Sequence, residues 1–92
     1  MSAPHALAVR EFTIDDRDRA AYLSRLAQRR TEAAARGAHV WAFEREHAVG
    51  EFIEFMETNA PGTLADALAH DPTFAGSTPT IYHEVVPTSI ES

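Results

Sequence analysis

The chain has 92 residues with a formal net charge of −6, 45% hydrophobic and 24% charged side chains, and no cysteine or lysine. That acidic balance disfavours a nucleic-acid backbone, whose affinity rests on clustered cations, and the lack of thiols excludes disulfides, thiolate catalysis and cysteine-containing zinc sites. No apolar run approaches the roughly 20 residues that span a bilayer, and the N-terminus lacks the charged-then-apolar order of a secretion signal, so a cytoplasmic protein is expected.

At this length the whole chain, residues 1–92, reads as one domain that buries only about 60 to 65% of its unfolded surface, with flexible tails at 1–5 and 87–92. Leu7 to Ile14 is apolar and β-branched and runs into the acidic group Asp15, Asp16 and Asp18. This predicts a strand feeding a helix from about Asp16 to Arg36. Thr13 or Asp15 can cap its start, Arg29, Arg30 and Arg36 meet its negative end, and Gly37 closes it. Ala20, Leu23, Ala27 and Ala34, with Leu26 and Ala33 beside them, form the expected apolar stripe. Arg25, Arg29, Glu32 and Arg36 fall on the outer, solvated side.

Two strands follow, HVWAFERE and VGEFIEFME, with the turn expected at His47 and Ala48. That register sets Phe43 opposite Phe52 and Trp41 opposite Glu54. It gathers His39, Trp41, Phe43, Phe52, Glu54 and Met56 on one face, and Val40, Ala42, Glu44, Val49, Glu51, Ile53 and Phe55 on the other. Both faces carry bulky apolar side chains, which helices on one side cannot cover. In so small a chain the expected cover is a second copy of itself.

Asn59 to Gly62 stops the strand. A two-turn helix follows over TLADALAH, with Thr63 and Asp66 as a capping box and Leu64 and Leu68 as its anchors, and Pro72 prevents its continuation. Thr80 to Val86 predicts a last strand, ended by Pro87. The order strand, helix, strand, strand, helix, strand gives an α+β fold: a ferredoxin-like βαββαβ domain with both helices on one face of a four-stranded antiparallel sheet.

Arg10 shares parity with Phe12 and, through pairing of the first and third strands, can approach Glu54. A buried arginine beside one carboxylate suits an enolate, phenolate or carboxylate ligand, and equally suits a structural ion pair. His39 and Trp41, near Phe43 and Phe52, read either as an aromatic cavity holding a proton-abstracting group or as core packing with a half-exposed histidine. His83 and Tyr82 on the last strand could reach a ligand, depending on which parity faces the helices. The five histidines have no metal-ligand spacing, so no metal site is expected.

Gly37, the run Trp41 to Glu44, the run Gly50 to Glu57, and Leu64 to His70 together resemble the dimeric α/β barrel proteins of the antibiotic-biosynthesis-monooxygenase type. The resemblance implies a homodimer whose two sheets face each other as a barrel, and a small-molecule pocket between sheet and helices, lined by the face that holds Met56. Haem-degrading members use a tryptophan where Met56 stands, an asparagine where Arg10 stands and a helical histidine near which only His70 lies, so the likeness points away from haem. The function implied is binding, and if catalytic oxygenation, of an aromatic or quinol-like compound without a cofactor. Arg10, His39 and Glu54 would be the catalytic groups, with Phe12, Trp41, Phe43, Phe52 and Met56 against the substrate. The rival readings are a non-catalytic ligand-binding or accessory dimer, and a regulatory amino-acid-binding domain of the same topology.

Overall fold

A computed structural model describes residues 5–87. Strand β1 (Ala6–Thr13) leads through a 3-10 turn (Asp16–Asp18) into α1 (Arg19–Ala34). The hairpin β2 (Ala38–Glu44) and β3 (Glu51–Thr58) follows, then α2 (Pro61–Ala69), a short α3 (Pro72–Ala75) and β4 (Thr80–His83). The four strands pair antiparallel in the order β2-β3-β1-β4, and the helices lie on one face, which is the expected ferredoxin-like arrangement. The flexible tails expected from the sequence fall largely on residues 1–4 and 88–92, outside the described residues.

Small side chains let the helices sit close to the sheet. Ala6 and Ala8 of β1, Ala38 and Val40 of β2, and Met56 of β3 form one buried cluster with Ala33 of α1, Leu64 and Ala67 of α2, and Phe74 of α3. The buried face of α1 is Tyr22, Leu26, Arg29 and Ala33, not the expected alanine stripe: Ala20, Ala27 and Ala34 are exposed, and Leu23 is 43% exposed. The helix is rotated because a longer side chain, Arg29, finds a buried partner, as described below.

The hairpin corrects the predicted register by one residue. Glu44 pairs with Phe52, Phe43 with Ile53, and Trp41 with Phe55. The physical reason is the loop at 45–50, which replaces the expected tight turn. It closes with the Arg45 N–H donating to the Glu51 carbonyl at 2.8 Å, and passes through positive φ at His47 (65°) and Gly50 (92°). Gly50 is obligatory for two reasons. Its conformation is one that L side chains rarely adopt, and an added Cβ would lie 2.8 Å from the Ile14 carbonyl oxygen. As a result Phe52, Glu54, Met56 and Thr58 face the helices with Val40, while Trp41, Phe43, Ile53 and Phe55 share the other face with Leu7 and Val9.

The later elements also differ from expectation at their ends. Pro61 occupies the first turn of α2, so Ala60 is the N-cap and the Thr63–Asp66 capping box does not form. Pro72 both ends the run of α2 and opens α3, whose N-cap Asp71 accepts a hydrogen bond from the Phe74 N–H at 3.1 Å. Strand β4 stops at His83, and its pairing with β1 settles parity: Ile81 and His83 lie opposite Ala8 and Ala6 on the helix side, and Tyr82 lies opposite Leu7 on the open side. No helix among the described residues is long and apolar enough to cross a membrane.

Candidate functional site

The corrected register divides the predicted site residues between two faces. Arg10, Phe12, Phe52, Glu54 and Met56 come together on the helix side. His39, Trp41 and Phe43 stand on the opposite face, with the sheet between them and Glu54.

On the helix side the chemistry centres on Glu54, which is fully buried. Its carboxylate accepts from Arg10 Nε at 2.8 Å, from Arg29 Nη1 at 3.1 Å and Nη2 at 2.8 Å, and from the Tyr22 hydroxyl. Arg29 Nε reaches back to Asp71 at 3.1 and 3.3 Å. Two cations thus meet two anions, which is the condition for keeping such groups out of water. Burial alone would raise the Glu54 carboxyl, but the hydrogen bonds from Arg29, Arg10 and Tyr22 outweigh it and hold the group at about 2. Burial and the neighbouring Glu54 carboxylate push the Tyr22 hydroxyl up, so it stays a donor. Glu54 is therefore a fixed anion that accepts four hydrogen bonds, a poor proton acceptor at neutral pH.

Aromatic rings wall this cluster. Phe12 and Phe52 stack at 5.7 Å with 9° between planes, and Tyr22 stands against both at 5.5 and 5.1 Å. The Arg10 guanidinium carbon lies 3.9 Å from the Phe12 ring centre and 5.7 Å from that of Phe74. Towards the hairpin end, Arg19 of α1 grips Glu44 of β2 at 2.7 and 2.8 Å, and Glu44 also accepts from the Gly50 N–H at 2.8 Å. The Arg19 hydrogen bond, helped by the Gly50 N–H, lowers Glu44 to about 2.

Open space lies towards the edges. The gap beneath α1 and α2, beside Arg29, Met56 and Asp71, measures only about 10 Å3. A cleft of about 480 Å3 at the hairpin end of the sheet is bordered by Phe12, Phe52 and Glu44 of this cluster as well as by Phe43, Glu51 and Ile53. A second, of about 490 Å3, runs between α1 and the β2 edge, with His39, Trp41 and Arg30 on its walls. His39 and Trp41 have ring centres 6.2 Å apart. Met56 is sealed in the core at 0% exposure, so it faces packed side chains rather than a cavity.

Tyr22, Arg29 and Asp71 escaped the sequence reading. Spacing on α1 puts Arg29 in the solvated row, yet Tyr22, Leu26, Arg29 and Ala33 also form a helical stripe. Asp71, ahead of Pro72, had the form of a helix cap.

No protein-family model matches the chain, and no curated protein matches it by sequence. Among solved structures it is similar to a variant of SnoaB, a cofactor-independent oxygenase from Streptomyces nogalater. The TM-score is 0.65 at 16% identity, covering 98% of this chain and 100% of that one. It is also similar to a candidate monooxygenase from Shewanella loihica PV-4, with a TM-score of 0.63 at 18% identity over 96% of this chain and 99% of that one. Likeness at these identities establishes the fold.

Proposed function

We propose that the chain acts as a homodimer that binds a planar aromatic anion, on the fold used by a cofactor-independent oxygenase. The observation that carries the ligand reading is the state of Arg10. Its Nε is tied to Glu54, while its two terminal nitrogens have no hydrogen-bond partner among the described residues. A guanidinium anchored at its base, beside the faces of Phe12 and Phe74, matches a flat anion: the ring lies against the aromatic wall and the charge meets the fork.

In the catalytic form of this reading the substrate is quinol-like and binds as its enolate or phenolate, stabilised by Arg10. The carbanion passes an electron to dioxygen. One oxygen atom ends as a carbonyl on the carbon that gave up two hydrogens, and the other leaves as water. This needs no flavin or metal. Arg10 and Phe12 contact the substrate, Glu54 and Phe52 hold the wall, and Met56 supports it from the core. His39, Trp41 and Phe43 belong to the face that meets the second copy.

A non-catalytic dimer is the second reading. The filled space beneath the helices and the saturated Glu54 favour it, since neither offers a proton acceptor next to Arg10. Melting temperature and oxygen uptake, measured together across phenols, quinols and aryl carboxylates, separate the two. Ligand-induced stabilisation lost in Arg10→Met supports the site, and oxygen consumption with a quinol selects the enzyme. Stabilisation without oxygen uptake selects the carrier, and equal response of wild type and Arg10→Met removes both.

A further inference from the structure

Resting on the reading that Arg10 receives an anion, we propose that Arg29 is the positioning residue that keeps Arg10 open for it, and that the ligand presents two adjacent oxygens in one plane. Two guanidinium groups compete for one carboxylate. Arg29 takes both oxygens of Glu54, Nη1 at 3.1 Å from Oε2 and Nη2 at 2.8 Å from Oε1, which is the two-point geometry a carboxylate offers a guanidinium. The Tyr22 hydroxyl occupies Oε2 as well. Arg10 is left with a single bond, Nε to Oε1 at 2.8 Å.

The consequence is visible in what Arg10 does with its other nitrogens. Among the described residues no fully buried side-chain nitrogen or oxygen lacks a partner. The unpartnered terminal nitrogens of Arg10 therefore reach the surface, although the side chain as a whole is only 11% exposed. They form an end-on fork with two parallel donors, which fits an aryl carboxylate or the enolate of a β-diketone better than a single phenolate oxygen.

Arg29 is itself fixed from behind. Its Nε bonds to both Asp71 oxygens, and Asp71 accepts from the Phe74 N–H, so the group that steers Arg29 also seats the Phe74 ring above Arg10. Influence runs from Asp71 through Arg29 and Glu54 to Arg10. Without Arg29, Glu54 has two free acceptor positions, and Arg10 can turn its fork inward onto them.

The test uses benzoate as probe, with binding followed by melting temperature and by the arginine side-chain nuclear resonance signals of the full chain. Four proteins are compared: wild type, Arg10→Met, the charge-balanced pair R29M/D71N, and that pair with Glu54→Gln added. Wild type binds and Arg10→Met does not. R29M/D71N binds roughly ten- to a hundredfold more weakly, the worth of a charge-assisted two-point contact. Glu54→Gln then restores most of the loss by removing the anion that captures Arg10, a recovery that a general packing defect would not show. Equal benzoate binding in wild type and Arg10→Met, or none in wild type, defeats the ligand reading. Loss in Arg10→Met with full binding in R29M/D71N defeats the role of Arg29 alone. The Arg10 terminal N–H signals report independently of any ligand: in R29M/D71N they slow into a hydrogen-bonded pair, and an unchanged spectrum overturns the proposal. Should that pair fail to fold, Arg29→Lys, which offers Glu54 one contact point in place of two, gives a partial loss, and wild-type affinity there overturns it.

Discussion

Glu54 is a buried carboxylate that accepts hydrogen bonds from Arg10, Arg29 and Tyr22 at once. Its meeting with Arg10 follows from strand parity and antiparallel pairing, both legible from alternation along LAVREFTI and EFIEFMET. The second arginine was not legible, because a charged residue on an amphipathic helix is normally solvated and only a buried carboxylate at the right height reverses that rule. The network has a measurable signature. The Glu54 carboxyl sits at about 2 against an ordinary 4.5, so its stabilisation is complete above about pH 4.5 and is lost as pH falls from there through about 2. The shift corresponds to about 3 kcal/mol. Glu54→Gln should therefore lower the melting temperature at pH 7 and flatten the decline on acidification, leaving the residual slope that Glu44 supplies. A variant that keeps the wild-type acid profile would mean the carboxylate is not held in this way.

Among the elements, the hairpin carries the sharpest lesson. Strand identity and order followed from periodicity, and the sheet has the topology they imply. The register did not follow, because it depends on loop geometry, and residues 45–50, with left-handed backbone at His47 and Gly50, connect Glu44 to Glu51 in place of the expected two-residue turn. A slip of one residue moved Trp41 and Phe43 to the far side of the sheet and took His39 with them. Gly50→Ala tests the device directly: strained backbone plus a 2.8 Å approach to Ile14 predicts a loss of about 1 to 3 kcal/mol, read as a lower urea midpoint with an unchanged slope. A neutral result would show that the loop has other conformations at little cost. The helices repeat the pattern in milder form. Pro72 correctly signals a break, but a proline that ends one helix is equally suited to the first turn of the next.

For the whole molecule, both faces of the sheet are apolar as the sequence predicts, with the β2 side chains moved across relative to those of β3. Leu7, Val9, Ile53 and Phe55 lie on the face away from the helices with Trp41, Phe43 and Tyr82, which are 45%, 53% and 52% exposed. So large an uncovered apolar patch is uncommon on a chain that works alone. Pairing of two copies through it is the proposed assembly. Ile53→Glu should then yield folded single subunits by light scattering, with far-ultraviolet dichroism unchanged. Wild-type protein that is already a single subunit at micromolar concentration would reject the pairing. The open face also holds the chain's one tryptophan, Trp41, on the edge strand β2 and beside Phe55 of β3. Indole emission is thereby wired to association and not to the core: serial dilution should red-shift the spectrum while the fold stays intact, giving a dissociation constant without any label.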